Sequence, residues 1–415
     1  MKSRTYYGEY SLKHWVDLLL KQNIELPAYQ RSFVWKKEDT ERLIKSMKEG
    51  QFIQPITIAF FEDGGRKMNL ILDGQQRLTS VLIAYLGYFP DKSKFEAAAF
   101  LSSDDDSEGD DNDNIPIKWT FKEFQRYGKD KENIIQGILN GASEKYITID
   151  LDCNDDFLEN TFLGFSYIVP SSVDAATKQT FFTKLFRNMN YLGKKLLPIE
   201  SRKSLYYLND GLKNYFEGKT SEGRDVLCGI SLVENMKIGQ IDFVRYLSIL
   251  SQYMSEGGDA RKVMVGYSAY SSRENYYGDY VSYIVGIDQE DRVDKFDGFI
   301  FNDVFPDGCW QQRFDILKTK IELLKSKMGL GAKDEFTSWI DTDYWLLGIV
   351  YWVVFKNMNI LEANIDALST QLSEEIQSKK ASEYYAKSPN LLGNIRERLQ
   401  SSIDIYSRHV VLYAV

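Results

Sequence analysis

The chain has 415 residues, with 51 Lys and Arg against 60 Asp and Glu, a formal net charge of -9, and 43% hydrophobic and 27% charged residues. That length supports two or three domains with sizeable cores, and the composition is that of a globular protein rather than a disordered or fibrous one. Seven of the acids fall between Asp104 and Asp113, so the rest sums to -9 + 7 = -2, and no broad basic footprint for duplex DNA is present, although a local basic groove stays open.

Three scattered cysteines (Cys153, Cys228 and Cys309) have no zinc-ligand spacing and fit a reducing compartment. The N-terminal residues lack the apolar core of a signal peptide. The most apolar run, Tyr344 to Phe355, is too short to cross a bilayer as a helix and reads as a buried one. A cytoplasmic protein with no membrane partner is the expectation.

In chain order, Ser11 to Leu20 predicts a helix capped by Ser11, with Leu12, Trp15, Val16, Leu19 and Leu20 on one face. Asn23 to Leu26 alternates as a short strand, and Pro27 to Trp35 mixes aromatic and polar residues as a loop. Lys36 to Glu49 returns to helical spacing. Ile56–Phe60 and Met68–Leu72 read as strands joined by a turn at Asp63-Gly64-Gly65. After Gly74 an apolar stripe (Leu78, Val81, Leu82, Tyr85, Leu86) predicts a helix. Residues 101–114 read as a solvated acidic loop. Lys145–Leu151 and Phe162–Val169 read as two strands that complete the sheet, and Thr177–Met189 as a helix. Pro198 opens another helix. Beyond it the pattern is helical near 205–217, 240–255, 310–328, 341–357, 360–378 and 389–407, with 265–300 read as irregular. The expected fold class is therefore α+β: an N-terminal domain over residues 1–210 with a small mixed sheet, then a mainly helical domain over 211–415.

The sharpest signal is Asp73-Gly74-Gln75-Gln76-Arg77. It sits where a strand turns into a helix. Backbone N–H groups and the helix dipole there favour anions, phosphate above all, and Arg77 adds a planar fork of donors. The bland alternative is a helix capped by Asp73 with a polar first turn. Tyr29-Gln30-Arg31 in the aromatic loop is the second signal; alone it reads as a loop brace, but an anionic ligand would draw both arginines to one site. The third is Phe186 to Arg202, including Asn190, Gly193 and Glu200, which alone reads as a capped joint between helices.

Together, Pro27-x-Tyr29-Gln30-Arg31, Asp73-Gly74-Gln75-Gln76-Arg77-Leu78-Thr79, and Asn190-x-x-Gly193-x-x-Leu196-x-x-x-Glu200-x-Arg202 resemble the N-terminal domain of GmrSD-type restriction endonucleases. The resemblance implies a ParB/sulfiredoxin-like fold and a nucleoside triphosphate site tied to defence against phage DNA. It implies catalytic roles for Asp73, Gln75, Gln76 and Arg77, ligand contacts from Tyr29, Gln30, Arg31, Gly74, Asn190 and Glu200, and Mg²⁺ carried with the nucleotide, with Asp73 as its candidate ligand. The third motif departs from the family: the position that should hold arginine is Asn188, and Arg187 precedes it. Many members also carry an HNH-type nuclease, which needs histidines as base and metal ligand. This chain has only His14 and His409, far apart. The resemblance therefore implies a nucleotide-binding and NTP-hydrolysing protein without its own HNH nuclease. The alternatives are a non-enzymatic DNA-binding or partner-binding module that acts with a separate nuclease, with Tyr29, Phe33 and Trp35 stacking bases, and a scaffold in which the motifs serve only the fold.

Overall fold

The computed structural model describes residues 4–27, 33–63, 66–95, 117–170, 181, 185, 198–207, 209–234, 237–265, 270–286 and 295–412. These fall into two compact units, one of residues up to 95 and from 117 to 204, the other from residue 205 onward. The acidic stretch, the Tyr29–Arg31 segment, Asn190 and nearly all of 177–189 lie outside the described residues. No described helix is long and apolar enough to cross a membrane.

The first unit opens with strand β1 (Arg4–Ser11), which leads directly into helix α1 (Leu12–Leu20). Ser11 caps α1 by accepting the His14 N–H at 3.3 Å. The expected apolar face of α1 is buried, and the Trp15 indole donates to the Leu163 carbonyl at 3.1 Å. Helix α2 (Lys37–Lys48) precedes a hairpin of β2 (Ile56–Asp63) and β3 (Arg66–Asp73), and α3 (Gln75–Leu86) follows. Then come β4 (Tyr88–Pro90), α4 (Lys122–Gln125), α5 (Lys131–Gly141), β5 (Tyr146–Thr148), α6 (Asp155–Asn160) and β6 (Phe162–Val169). The main sheet has the order β1-β6-β2-β3, with β6 antiparallel to β1 and parallel to β2. It is the small mixed sheet that the α+β reading expects.

Three expectations about this unit and the next need correction, and one strand was not expected. Lys145–Leu151 does not join the main sheet; its central residues form β5, which pairs with β4 in a separate two-stranded ribbon. Tyr146 is drawn there by an aromatic cluster, stacking on Phe124 at 5.5 Å and accepting the Trp119 indole N–H at 3.2 Å. The strand that does complete the sheet is β1, whose residues are exposed along most of its length and so leave no apolar alternation to read. Asn23–Leu26 is no strand, only a bridge from Glu25 to Leu70. Residues 265–300 are not simply irregular: Tyr270–Val285 is a helix, with Tyr276, Tyr277, Tyr280 and Val281 buried at helical spacing.

The second unit is mainly helical. Its longer helices are Phe243–Ser255, Tyr270–Val285, Trp310–Leu324, Trp339–Ile349, Ile365–Ala381 and Leu392–Ser407. A small sheet that the sequence did not disclose joins β7 (Ser231–Glu234), β8 (Lys237–Gln240) and β9 (Glu335–Phe336) in the order β8-β7-β9. The apolar run at 344–355 is buried as expected, partly in Trp339–Ile349 and partly in the π-helical turn Val350–Phe355. Gly348 lets this element approach Leu392–Ser407 closely, since a Cβ there would lie 2.2 Å from the Tyr406 ring and 2.7 Å from the Ser402 carbonyl oxygen.

Three of these helices meet at a buried charge cluster. Asp343 accepts from Arg245 at 2.8 Å and from Arg398 at 2.7 Å, and the side chains of all three are essentially inaccessible. Arg245 also lies over the Trp339 ring at 4.3 Å and donates to the Tyr277 hydroxyl at 3.1 Å. Burial alone would raise the Asp343 pKa, but the two guanidiniums outweigh it and hold the carboxyl below its usual range. Asp343→Asn leaves two buried cations without a counter-charge, so it is expected to cost about 3–5 kcal/mol of unfolding free energy in urea. Asp343 binds its proton less tightly in the fold than in the unfolded chain. Its contribution is therefore complete above the unfolded carboxyl value of about 4, and is lost as pH falls through the lower folded value. Urea melts at pH 7 and at about pH 3 are expected to differ less for the Asn variant than for the parent.

Candidate functional site

The turn between β3 and α3 is built by packing. Asp73 ends β3, opposite Thr57 of β2. Gly74 follows with φ +94°, ψ 8°, in the left-handed region that side-chain-bearing residues avoid. A Cβ at Gly74 would lie 2.3 Å from Ile56 Cδ1 and 3.4 Å from the Ile56 Cα. Helix α3 then runs through the interior of the unit. It is buried on nearly every side, from Gln75 and Gln76 to Leu86, rather than along the single stripe that the sequence suggested. Thr40 and Ser80 share a buried hydroxyl hydrogen bond of 3.0 Å between α2 and α3.

The capping alternative is corrected by the geometry. The N-cap is Gly74, and no side chain caps this end of α3. The Asp73 carboxylate instead accepts from Arg77 Nη2 at 2.6 Å, a charge-assisted contact across the turn. The other terminal nitrogen of Arg77 donates to Gln54 Oε1 at 3.1 Å. Arg77 is largely enclosed, its side chain 12% exposed against 44% for Asp73. Sequence reasoning missed Gln54: one glutamine before Pro55 at a strand entrance carries no pattern.

Gln76 points back to the aromatic loop. Its Oε1 accepts the Val34 N–H at 3.0 Å, and Lys92 Nζ donates to the Val34 carbonyl at 3.1 Å. The amide orientation follows from chemistry, because only the oxygen can accept from an N–H. Phe33, next to Val34, is fully buried against Phe89 and Trp119 at 5.8 and 5.5 Å. On the other side, Glu25 exchanges backbone hydrogen bonds with Asn69 and Ile71 of β3. The described residues flanking 28–32 are thus anchored to the elements that form the turn.

Of the residues singled out by sequence, the structure brings together Asp73, Gly74, Gln75, Gln76 and Arg77. Tyr29, Gln30, Arg31 and Asn190 lie outside the described residues, and Glu200 belongs to the Pro198–Tyr206 helix. Thr79, one turn along α3, is 1% exposed, and its hydroxyl has no hydrogen-bond partner among the described residues. Among those residues no group of three or more His, Cys, Asp or Glu could hold a metal ion. Of the two histidines, His14 is exposed in the first unit and His409 is buried in the second, where burial lowers its pKa. Gly74→Ala combines a disfavoured φ with a clash against Ile56, and is expected to lower unfolding free energy by about 2–4 kcal/mol in urea or thermal melts.

Comparison with known proteins gives this geometry a setting. Residues 15–207 match the family described as GmrSD restriction endonuclease, N-terminal domain. An uncharacterized protein of Methanocaldococcus jannaschii is 35% identical over 127 residues, a match that covers 25% of this chain and 22% of that protein's length. The matched residues 15–207, which contain the Gly74 turn together with Gln54 and Arg77, are thus similar to the GmrSD restriction endonuclease N-terminal domain.

Proposed function

We propose that the turn at Asp73–Arg77 is a site that binds a nucleoside triphosphate with its Mg²⁺ and hydrolyses it in the service of DNA restriction. What supports the reading is the Asp73–Arg77 pair at the start of a helix that no side chain caps. Such an end favours phosphate. Arg77 is a phosphate ligand already oriented by Gln54, and Asp73 is the anion it holds in the absence of one. An incoming phosphate would take the place of the Asp73 carboxylate on Arg77. The carboxylate would then be free to meet Mg²⁺ or to orient water. Mg²⁺ in nucleotide sites is commonly held by one or two carboxylates, phosphate oxygens and waters, which suits a chain with no dedicated metal cluster among its described residues. When bound, the ion would neutralise phosphate charge.

In this reading Gln75 would position the attacking water, while Gln76 braces the loop through Val34. Tyr29, Gln30, Arg31, Asn190 and Glu200 would contact the ligand, as the family resemblance implies. The sequence has no P-loop lysine motif, so the site would work without one. A ParB/sulfiredoxin-like fold for residues 1–210 and a helical domain for 211–415 belong to the same proposal, as does a cytoplasmic location, which the three unpaired cysteines suit. DNA and a separate nuclease or defence protein are the partners that the restriction family suggests.

The test is nucleotide binding and phosphate release by the full chain, compared with Arg77→Ala and Gln54→Ala. Arg77→Ala is expected to lose turnover by about 10²-fold or more, the range for losing one preorganised donor to transition-state charge, and Gln54→Ala by less. Equal phosphate release from all three proteins would refute the reading.

A further inference from the structure

The first unit carries a concave surface formed by residues other than those of the turn. A cleft of about 850 Å³ lies between the end of α2 with the segment after it and the segment from Asp152 to the start of β6. Two phenylalanines that line it are exposed, Phe52 at 86% and Phe162 at 58%. A single exposed apolar residue needs no explanation, but two on one concave surface mark a contact site. Both sit on backbone fixed by packing. Phe52 follows the Gly50 turn that ends α2 and precedes buried β2, and Phe162 begins β6, where it pairs with Ser11.

The charge of this surface leans negative, with Asp152 and Asp156 lining it against Lys48. Residues 150–159 hold Asp150, Asp152, Asp155, Asp156 and Glu159, with no Lys or Arg among them. Lys48, the one cation among the described lining residues, is already engaged: it lies 3.2 Å from Asp152 and 5.5 Å from the centre of the Phe157 ring. Asp155 is paired with Lys13 at 2.9 Å, whereas the Asp152 side chain remains 83% exposed, and Asp156 is exposed on the cleft wall. A phosphate backbone approaching here would meet net negative charge, so the cleft is unsuited to nucleic acid.

We propose that this cleft docks a basic segment of a partner protein, with an apolar side chain packing on Phe52 and Phe162 and Lys or Arg side chains meeting Asp152 and Asp156. The apolar anchors would supply the binding energy, while the acidic rim would supply on-rate and discrimination against acidic partners. The arrangement gives a restriction-family domain a protein-facing surface apart from the Asp73–Arg77 turn.

The test uses the full chain and three fluorescent probes at about 0.1 M salt, where surface charges still act over about 10 Å: a lysine–leucine peptide, its glutamate–leucine counterpart, and a single-stranded oligonucleotide. Anisotropy is expected to show binding of the lysine peptide alone. Phe52→Ala with Phe162→Ala is expected to weaken it by about tenfold or more, as for the loss of anchor residues. Asp156→Lys is expected to weaken it further, and hydrogen exchange to slow within residues 47–55 and 152–164. Phe52 is so exposed that Phe52→Ala alone leaves the fold intact and keeps the comparison clean. No binding of the lysine peptide, binding indifferent to Phe52→Ala, or a preference for the glutamate peptide or the oligonucleotide would overturn the proposal.

Discussion

The left-handed turn at Gly74 governs the geometry of the candidate site. β3 must reverse into a helix that is buried almost all round, and the turning residue takes φ +94°, where a Cβ would be strained and would push on the end of the Ile56 side chain. Glycine there brings the end of β3 and the first turn of α3 close enough for Asp73 to reach Arg77. The ion pair therefore follows from the packing. Its strength comes from partial enclosure on the Arg77 side, since a fully exposed pair at this spacing would add little.

Around that turn the first unit acts as a frame. The hairpin of β2 and β3 fixes the strand, and α2 meets α3 through the Thr40–Ser80 hydroxyl contact. Gln76 and Lys92 hold the Val34 backbone through its N–H and its carbonyl. A site placed on the buried helix of a unit has little freedom to drift, which preorganised electrostatic binding requires. The second unit has its own anchor, the Asp343 carboxylate held between Arg245 and Arg398. A lone carboxylate there would favour its neutral form, and two guanidiniums reverse that preference.

Much of the first unit was legible in its residues. Ser11 as a cap, the α1 face, the hairpin and the strand–glycine–helix junction all have short-range signatures, and the structure has them. The misses share a physical cause. β1 is exposed along its length and shows no alternation, and Tyr146 answers to Phe124 and Trp119 rather than to the strand pattern around it. Tyr270–Val285 hides its helical spacing behind polar and glycine residues. Gln54 meets Arg77, and Arg398 meets Asp343, across separations of 23 and 55 residues, and no local pattern marks such pairs. Within the motif, Gly74 reads as a turn and Asp73 as a site residue, with a cap as the bland alternative. The spacing alone could not show that the carboxylate turns to Arg77 instead.

The central claim is an exchange: a nucleotide phosphate takes the place of the Asp73 carboxylate on the Arg77 guanidinium. The direct measurement is a crystal structure of the full chain with Mg²⁺ and a non-hydrolysable nucleoside triphosphate analogue. The account predicts Arg77, still held by Gln54, on a phosphate oxygen at the start of α3, with Asp73 released toward the ion or its waters. An analogue bound elsewhere, with the Asp73–Arg77 contact intact at its present 2.6 Å, would contradict it.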